Sequence, residues 1–250
     1  RAFAVIAVII NHLDKNLLPS GYLGVDIFFV ISGFVITSSL YKRPSKNFKD
    51  FISGFYERRI KRLVPALSVF VIIASIAICL FNPKPVLTLR TGLASLFGLS
   101  NLYLLKQSTN YFAQSTALNI FTHTWSLGVE EQFYLLFPFL IWFSGFSKQT
   151  KKGIRNLFLT ISGLTTVSFI SFLYFYSTNQ PAAYFLMPTR FWEMASGCLL
   201  FIGILNRSSI LRFFEKVTPS FLMLLIIGVM YLPISFARAS TFAVILLTLA

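Results

Sequence analysis

Several charged or ionisable residues of this chain stand inside apolar stretches, where such a group is costly unless it pairs or faces a wet cavity. Arg1 and His12 are eleven positions apart. On a helix turning about 100° per residue they fall on one face, about 16 Å apart along the axis. Away from water the uncharged ring is favoured, so His12 is expected as a neutral imidazole able to take a proton, the property of a general base. Asn11, Asp14 and Lys15 flank it, and Asp26 stands a few residues into the next apolar segment, within reach across a hairpin. The bland alternative is a histidine that only hydrogen-bonds a neighbouring helix.

Four further places carry similar groups. In Gly21-Tyr22-Leu23-Gly24-Val25-Asp26 and Ile31-Ser32-Gly33-Phe34 the small residues let helices approach closely. Asp26, set among Val25, Ile27, Phe28 and Phe29, demands a donor. In Phe55-Tyr56-Glu57-Arg58-Arg59-Ile60-Lys61-Arg62 the arginines Arg58, Arg59 and Arg62 stand at helical offsets that put at least two on one face. Paired guanidiniums bind phosphates bidentately, although membrane orientation and anionic headgroups alone would also produce such a cluster. In His123-Thr124-Trp125-Ser126-Leu127-Gly128-Val129-Glu130-Glu131 a loop becomes a spanning helix with two acids near its start. The helix dipole favours acids there, yet neighbours about 100° apart let one face the interior while the other faces elsewhere. His123 and Trp125 would form a polar, aromatic rim at the same mouth. Arg190 and Glu193, three apart, are able to pair on one helix face, as a structural ion pair would.

These residues need long apolar elements to position them. The 250 residues are 56% hydrophobic and 12% charged, with mean hydropathy +0.73, too oily for a soluble globule. The same figures exclude a disordered chain, a disulfide-stapled secreted domain and a nucleic-acid binder. The net charge of +14 fits an excess of Lys and Arg in cytoplasmic loops. Cys79 and Cys198 lie inside apolar runs and read as small hydrophobes, so neither a disulfide nor a metal site is expected.

Because a crossing takes about 20 apolar residues, the runs at 2–13, 22–40, 63–81, 126–143, 157–176, 184–205, 221–233 and from 241 onward read as about eight spans. The basic segment between Leu40 and Leu63 is expected in the cytoplasm, as are Lys148, Lys151, Lys152 and Arg155, and Arg207, Arg212 and Lys216. That order forces 87–122 to cross an even number of times. It reads as a re-entrant or broken pair, helical over 88–105 and less regular over 110–122, tolerable at membrane depth only if enclosed by protein. The expectation is an all-α polytopic transmembrane bundle, a single domain over 1–250 cut at both ends.

Taken together, the spacing of Arg1 and His12 and the segments GYLGVDIFFVISGFVIT, FYERRIKRLVPAL, HTWSLGVEEQFYLLFP and PTRFWEMASGCLL resemble the acyltransferase family 3 group of membrane O-acyltransferases, which includes O-antigen and peptidoglycan acetylases. The resemblance implies a bundle of about ten or more helices in a bacterial inner membrane. It implies transfer of an acyl group, often acetyl, from cytoplasmic acyl-CoA to a hydroxyl of an extracytoplasmic glycan or lipid-linked sugar, with no metal. Carried over by position, His12 is the base and Arg1 its partner, Arg58, Arg59 and Arg62 meet the donor's phosphates, and Glu130 and Glu131 are the motif's acids. Asp26, Glu130 or Glu131 would orient His12, while His123, Trp125, Arg190 and Glu193 would line the acceptor side. The competing reading is a proton-coupled transporter that uses His12, Asp26, Glu130 and Arg190 as a relay. It would show internal symmetry, which the sequence lacks.

Overall fold

The computed structural model describes all residues except 44, 46, 84, 110–118 and 207–217. Among these the chain is all-helical, and its long apolar helices make it a multi-pass membrane protein. The helices are α1 (Ala2–Leu13), α2 (Gly24–Tyr41), α3 (Phe48–Phe81), α4 (Val86–Leu96), α5 (Ser100–Ser108), α6 (Trp125–Phe143), α7 (Lys151–Thr178), α8 (Gln180–Phe185), α9 (Met187–Leu205), α10 (Pro219–Met230) and α11 (Ala237–Leu249). Among the described residues, α2 with the 3-10 turn before it, α3 and α7 are long and apolar enough to cross a membrane. The 19-residue helices α6 and α9 have nearly the same reach, about 28 Å, but carry the acids and Arg190.

Several boundaries differ from those read off hydropathy, for local reasons. Helix α3 starts well before its apolar run because the Asn47 side chain accepts the Asp50 N–H at 2.8 Å, so the basic segment Phe48 to Arg62 is helix rather than loop. Asn179 caps Ala182 N at 3.1 Å and Pro181 occupies the first turn, which makes 180–185 a separate helix and moves the next start to Met187. The awkward segment is broken at Gly98, whose φ of +66° is left-handed. Its two pieces, α4 and α5, are about 16 and 14 Å long, each about half of a 30 Å hydrocarbon layer. Arg207, Arg212, Lys216, Lys46 and most of 110–122 lie outside the described residues.

The chain forms two compact units. The first holds α1, α2, 154–165 of α7, α9 from Trp192, α10 and α11. Its core is Ala4, Ala7, Leu18, Leu23 and Ile27 against Ile226, Met230 and Val244. Helices α1 and α2 form a tight antiparallel hairpin, because a Cβ at Gly21 would overlap the Ala7 carbonyl and one at Gly24 the Ala4 carbonyl. Asn11 Nδ2 closes the turn on Leu18 O at 2.7 Å and Pro19 O at 3.1 Å. Helices α2 and α9 run parallel in backbone contact, with Gly33 against the Met194 carbonyl and Gly197 against that of Val30.

The second unit holds 43–153 and 166–191. The buried face of α3 repeats nearly every four residues through Phe51, Phe55, Leu67, Val71, Ala74 and Ile78, and Phe121 packs against its later part. Polar groups fill the space around α4 and α5. Asn119 Nδ2 donates to Thr91 Oγ1 at 2.7 Å and Gln107 Oε1 at 3.2 Å, Ser95 and Thr124 share a hydroxyl hydrogen bond at 3.1 Å, and Ser100 Oγ donates to Thr124 O at 2.8 Å. Such internal satisfaction is what irregular backbone at membrane depth requires.

Candidate active site

In the first unit Arg1 and His12 stand at opposite ends of α1, as their spacing implies. Arg1 Nη2 donates to Ser32 Oγ at 3.1 Å and its guanidinium lies 5.0 Å from the Phe28 ring centroid, so this end is fastened to α2. His12 is exposed in the last turn, with Nδ1 2.9 Å from Val8 O. A carbonyl oxygen can only accept, so Nδ1 is the donor in this contact, and in the neutral ring the lone pair then lies on Nε2.

Asp26 does not hydrogen-bond this ring. The hairpin sets Gly21 level with Ala7 and Asn11, Gly24 with Ala4, and Phe28 with Arg1, which places Asp26 opposite the start of α1, about 12 Å or more from His12 along the axis. Asp26 instead shares the α2 stripe of Val30, Gly33 and Thr37 that packs on α9. Asp26 and Glu193 are both buried.

In the second unit the arginine motif divides. Arg58 and Arg62, four apart, are exposed, and neither has a hydrogen-bond or ion-pair partner among the described residues. Partial burial, then repulsion from Arg43, holds the Arg58 guanidinium pKa below its ordinary value. Arg59 falls on the inward stripe of α3, between Phe55 and Leu67, and stacks 3.7 Å from the centroid of the Tyr134 ring on α6. A guanidinium placed so close over a ring is a strong cation–π contact. Tyr56 Oη donates to Leu135 O at 2.8 Å and further ties α3 to α6. Glu57 is held by Lys61 Nζ at 2.6 Å, which keeps its carboxyl below the usual range.

Glu130 and Glu131 point apart, as adjacent helical residues must. Glu130 is buried one turn before Tyr134. Glu131 is half-buried against the α4–α5 break, where a Cβ on Gly98 would strike its carboxylate. Beside it Gln132 Nε2 donates to Gly98 O at 3.0 Å and Asn101 Oδ1 at 2.8 Å, while Asn101 Nδ2 donates to Phe185 O at 2.9 Å. Gly128 admits this approach, since its Cβ would come within 2.9 Å of Asn101 Oδ1. Gln132, Asn101 and Gly98 thus join α6, the break and α8, and none stands out when only charges in apolar runs are sought.

His123 and Trp125 do not form one rim. The exposed His123 ring meets Phe70 of α3 edge-on at 5.4 Å, whereas Trp125 is buried against Tyr184 at 4.3 Å and Phe185 at 5.8 Å. Arg190, also buried, lies 5.2 Å from the Tyr184 ring, 5.7 Å from that of Phe172 and 5.9 Å from that of Trp125, with Nε donating to Tyr184 O at 3.4 Å. Thr189 Oγ1 donates to Leu186 O at 2.8 Å and Ser168 Oγ to Pro188 O at 2.6 Å, which fixes the turn that presents Arg190. Among the described residues no group of three or more His, Cys, Asp or Glu could hold a metal ion.

A histidine whose Nδ1 meets a backbone carbonyl, a basic helix face and a caged arginine thus stand among apolar helices, and comparison with known proteins gives the family. The family model for an acyltransferase domain, acyltransferase family 3, matches residues 1–250, and the chain belongs to that family. Among its relatives, the O-acetyltransferase OatA of Staphylococcus aureus (strain NCTC 8325 / PS 47) is 37% identical over 201 residues, 80% of this chain and 33% of that protein. The peptidoglycan O-acetyltransferase OatA of Listeria monocytogenes serovar 1/2a is 37% identical over 212 residues, 84% of this chain and 34% of that protein. The chain therefore spans about a third of the length of these relatives. No solved structure matches it.

Proposed function

We propose that this chain is the transmembrane part of an O-acetyltransferase that moves an acetyl group from cytoplasmic acetyl-CoA to a hydroxyl of an extracytoplasmic glycan, with peptidoglycan the foremost candidate, in a bacterial inner membrane. Family membership over 1–250 supports the reaction class, and likeness to an O-acetyltransferase and a peptidoglycan O-acetyltransferase supports the acetyl group and the acceptor. The observation that carries the assignment of the base is the His12 ring, whose Nδ1 bond to Val8 O leaves Nε2 free to accept.

Acetyl-CoA supplies an activated thioester. The exposed guanidiniums of Arg58 and Arg62 suit its phosphates, with Arg59 bracing α3 on α6. His12 Nε2 takes the proton of the acceptor hydroxyl as its oxygen bonds to the acyl carbon, and the thiolate leaves as CoA; a base so placed contributes roughly 10²- to 10⁴-fold. Arg1, fastened to Ser32 and Phe28, fixes the far end of α1 and so the line along which His12 points. Asp26, Glu130, Glu131 and Glu193 provide buried or half-buried acids near the helix starts. The caged Arg190, with Trp125 and Tyr184 beside it, offers a cation and rings to a sugar approaching from the acceptor side, and His123 lies at the exposed edge.

The test is transfer by the full-length protein in membrane vesicles supplied with acetyl-labelled CoA and cell-envelope glycan. Label appearing as an alkali-labile ester on glycan is the expected result. Glycan that stays unlabelled while the vesicles bind acetyl-CoA would refute the acceptor, and failure to bind acetyl-CoA would refute the donor.

A further inference from the structure

Arg43 belongs to none of the motifs above, yet its side chain is held in place beside one of them. Its side chain, 17% exposed, lies across α3 where Gly54 leaves a notch; a Cβ on Gly54 would overlap the guanidinium. Nη2 donates to Asp50 O at 3.1 Å, Nη1 to Phe51 O at 3.4 Å, and the Asp50 carboxylate stands 3.7 Å away, too far for a tight bidentate pair. Two of the five N–H donors of the guanidinium are used by the carbonyls, which leaves the rest of the fork open.

Arg58 lies one turn beyond Gly54 and has no hydrogen-bond or ion-pair partner among the described residues. Arg43 is near enough to repel its charge, and the adjacent acid, Glu57, is bound by Lys61 at 2.6 Å. The fold thus holds two guanidiniums together, one fixed by a glycine notch and one with all its donors open. Like charges so placed repel, and a ligand with two negative charges on oxygen turns that repulsion into binding.

We propose that Arg43, latched over Gly54, and Arg58 form a phosphate-binding pair, with Gly54 the positioning residue that makes room for the latch. Resting on the acyltransferase reading, this pair takes a phosphate of the acetyl-CoA donor. A phosphate of an anionic lipid headgroup shares the same chemistry, and the experiment separates the two sources.

The key variants are Arg43→Gln, Gly54→Ala and the two combined. The Ala methyl meets only the tip of a flexible side chain, so α3 stands while the guanidinium is displaced. Equilibrium binding of labelled acetyl-CoA to full-length protein in neutral phosphatidylcholine vesicles is the first arm. Binding to vesicles with and without phosphatidylglycerol, with the protein in detergent, is the second.

If the donor is the ligand, each single variant weakens acetyl-CoA binding on the order of tenfold. The double variant is no weaker than Arg43→Gln, because Gly54 acts only through Arg43, and apparent KM rises while kcat holds. If a headgroup is the ligand, acetyl-CoA binding is unchanged and the preference for phosphatidylglycerol falls in the same non-additive pattern. Wild-type behaviour in both arms overturns the pair, and additive losses overturn the role of Gly54. Wild-type protein that binds phosphatidylglycerol through Arg43 but never binds acetyl-CoA sinks the donor assignment while leaving the pair intact.

Discussion

Replacing Gly98 by Ala should unsettle the point where the broken segment meets α6, for two separable reasons. At φ +66° an L side chain costs about 1–2 kcal/mol. The new methyl also runs into the Glu131 carboxylate, with Glu131 Cβ only 3.1 Å away, and overpacking of that kind costs about 1–3 kcal/mol. Together they amount to roughly 2–5 kcal/mol, and at about 2–4 °C per kcal/mol the transmembrane transition drops by about 4–20 °C. The assay is thermal unfolding of the full-length protein in detergent, followed by helical circular dichroism, for Gly98→Ala, Glu131→Ala and the double variant. In the Glu131→Ala background the clash with the carboxylate is gone and only the 3.1 Å contact with Cβ remains, so Gly98→Ala then costs little beyond the backbone part, about 2–8 °C. A Gly98→Ala protein as stable as wild type would refute the left-handed break. A cost that is the same with and without the Glu131 carboxylate would refute the contact.

Other outcomes follow from the same geometry. Asn101→Ala removes the donor to Phe185 O and the partner of Gln132, and at about 0.6–2 kcal/mol per interhelical hydrogen bond should destabilise by roughly 2–3 kcal/mol; an unchanged unfolding midpoint would show that α8 is held by packing alone. The pair Arg58→Ala and Arg59→Ala should raise the apparent KM for acetyl-CoA on the order of tenfold. Arg59→Ala alone should lower stability by up to about 2 kcal/mol through loss of the Tyr134 contact, with less effect on KM. Steady-state kinetics beside thermal melts check both, and equal KM effects of Arg58→Ala and Arg59→Ala would contradict the division of the motif.

Much of this architecture was legible in the residues. The apolar run at 2–13 coincides with α1, and the phased Arg1 and His12 do lie at its two ends, because a helix without Gly or Pro leaves few alternatives. The break within 87–122 was legible as a conflict of topology, but its place was not, since Gly98 is an ordinary-looking glycine until Glu131 and Gln132 pack against it. Capping decided what hydropathy could not. Asn47 extends α3 through the basic motif, and Asn179 cuts α8 from α9. Charge alone led to the grouping of Arg58, Arg59 and Arg62, whereas the four-residue stripe of α3 turns Arg59 inward and leaves the other two outside. Asp26 seemed within reach of His12 because the hairpin is short. The contacts of Gly21 and Gly24 set a register that moves it toward Arg1 instead. Uncharged polar residues such as Asn101 and Gln132 escaped notice because their role exists only between helices.

The central claim is that His12 Nε2 is the base for acyl transfer. The direct measurement is single-turnover transfer of labelled acetyl to glycan by full-length protein in vesicles, wild type against His12→Ala and His12→Gln, with membrane insertion and acetyl-CoA binding measured on the same preparations. The account predicts a loss of roughly 10²- to 10⁴-fold in the transfer rate for both variants, with insertion and donor binding unchanged. Transfer at the wild-type rate by either variant would contradict it.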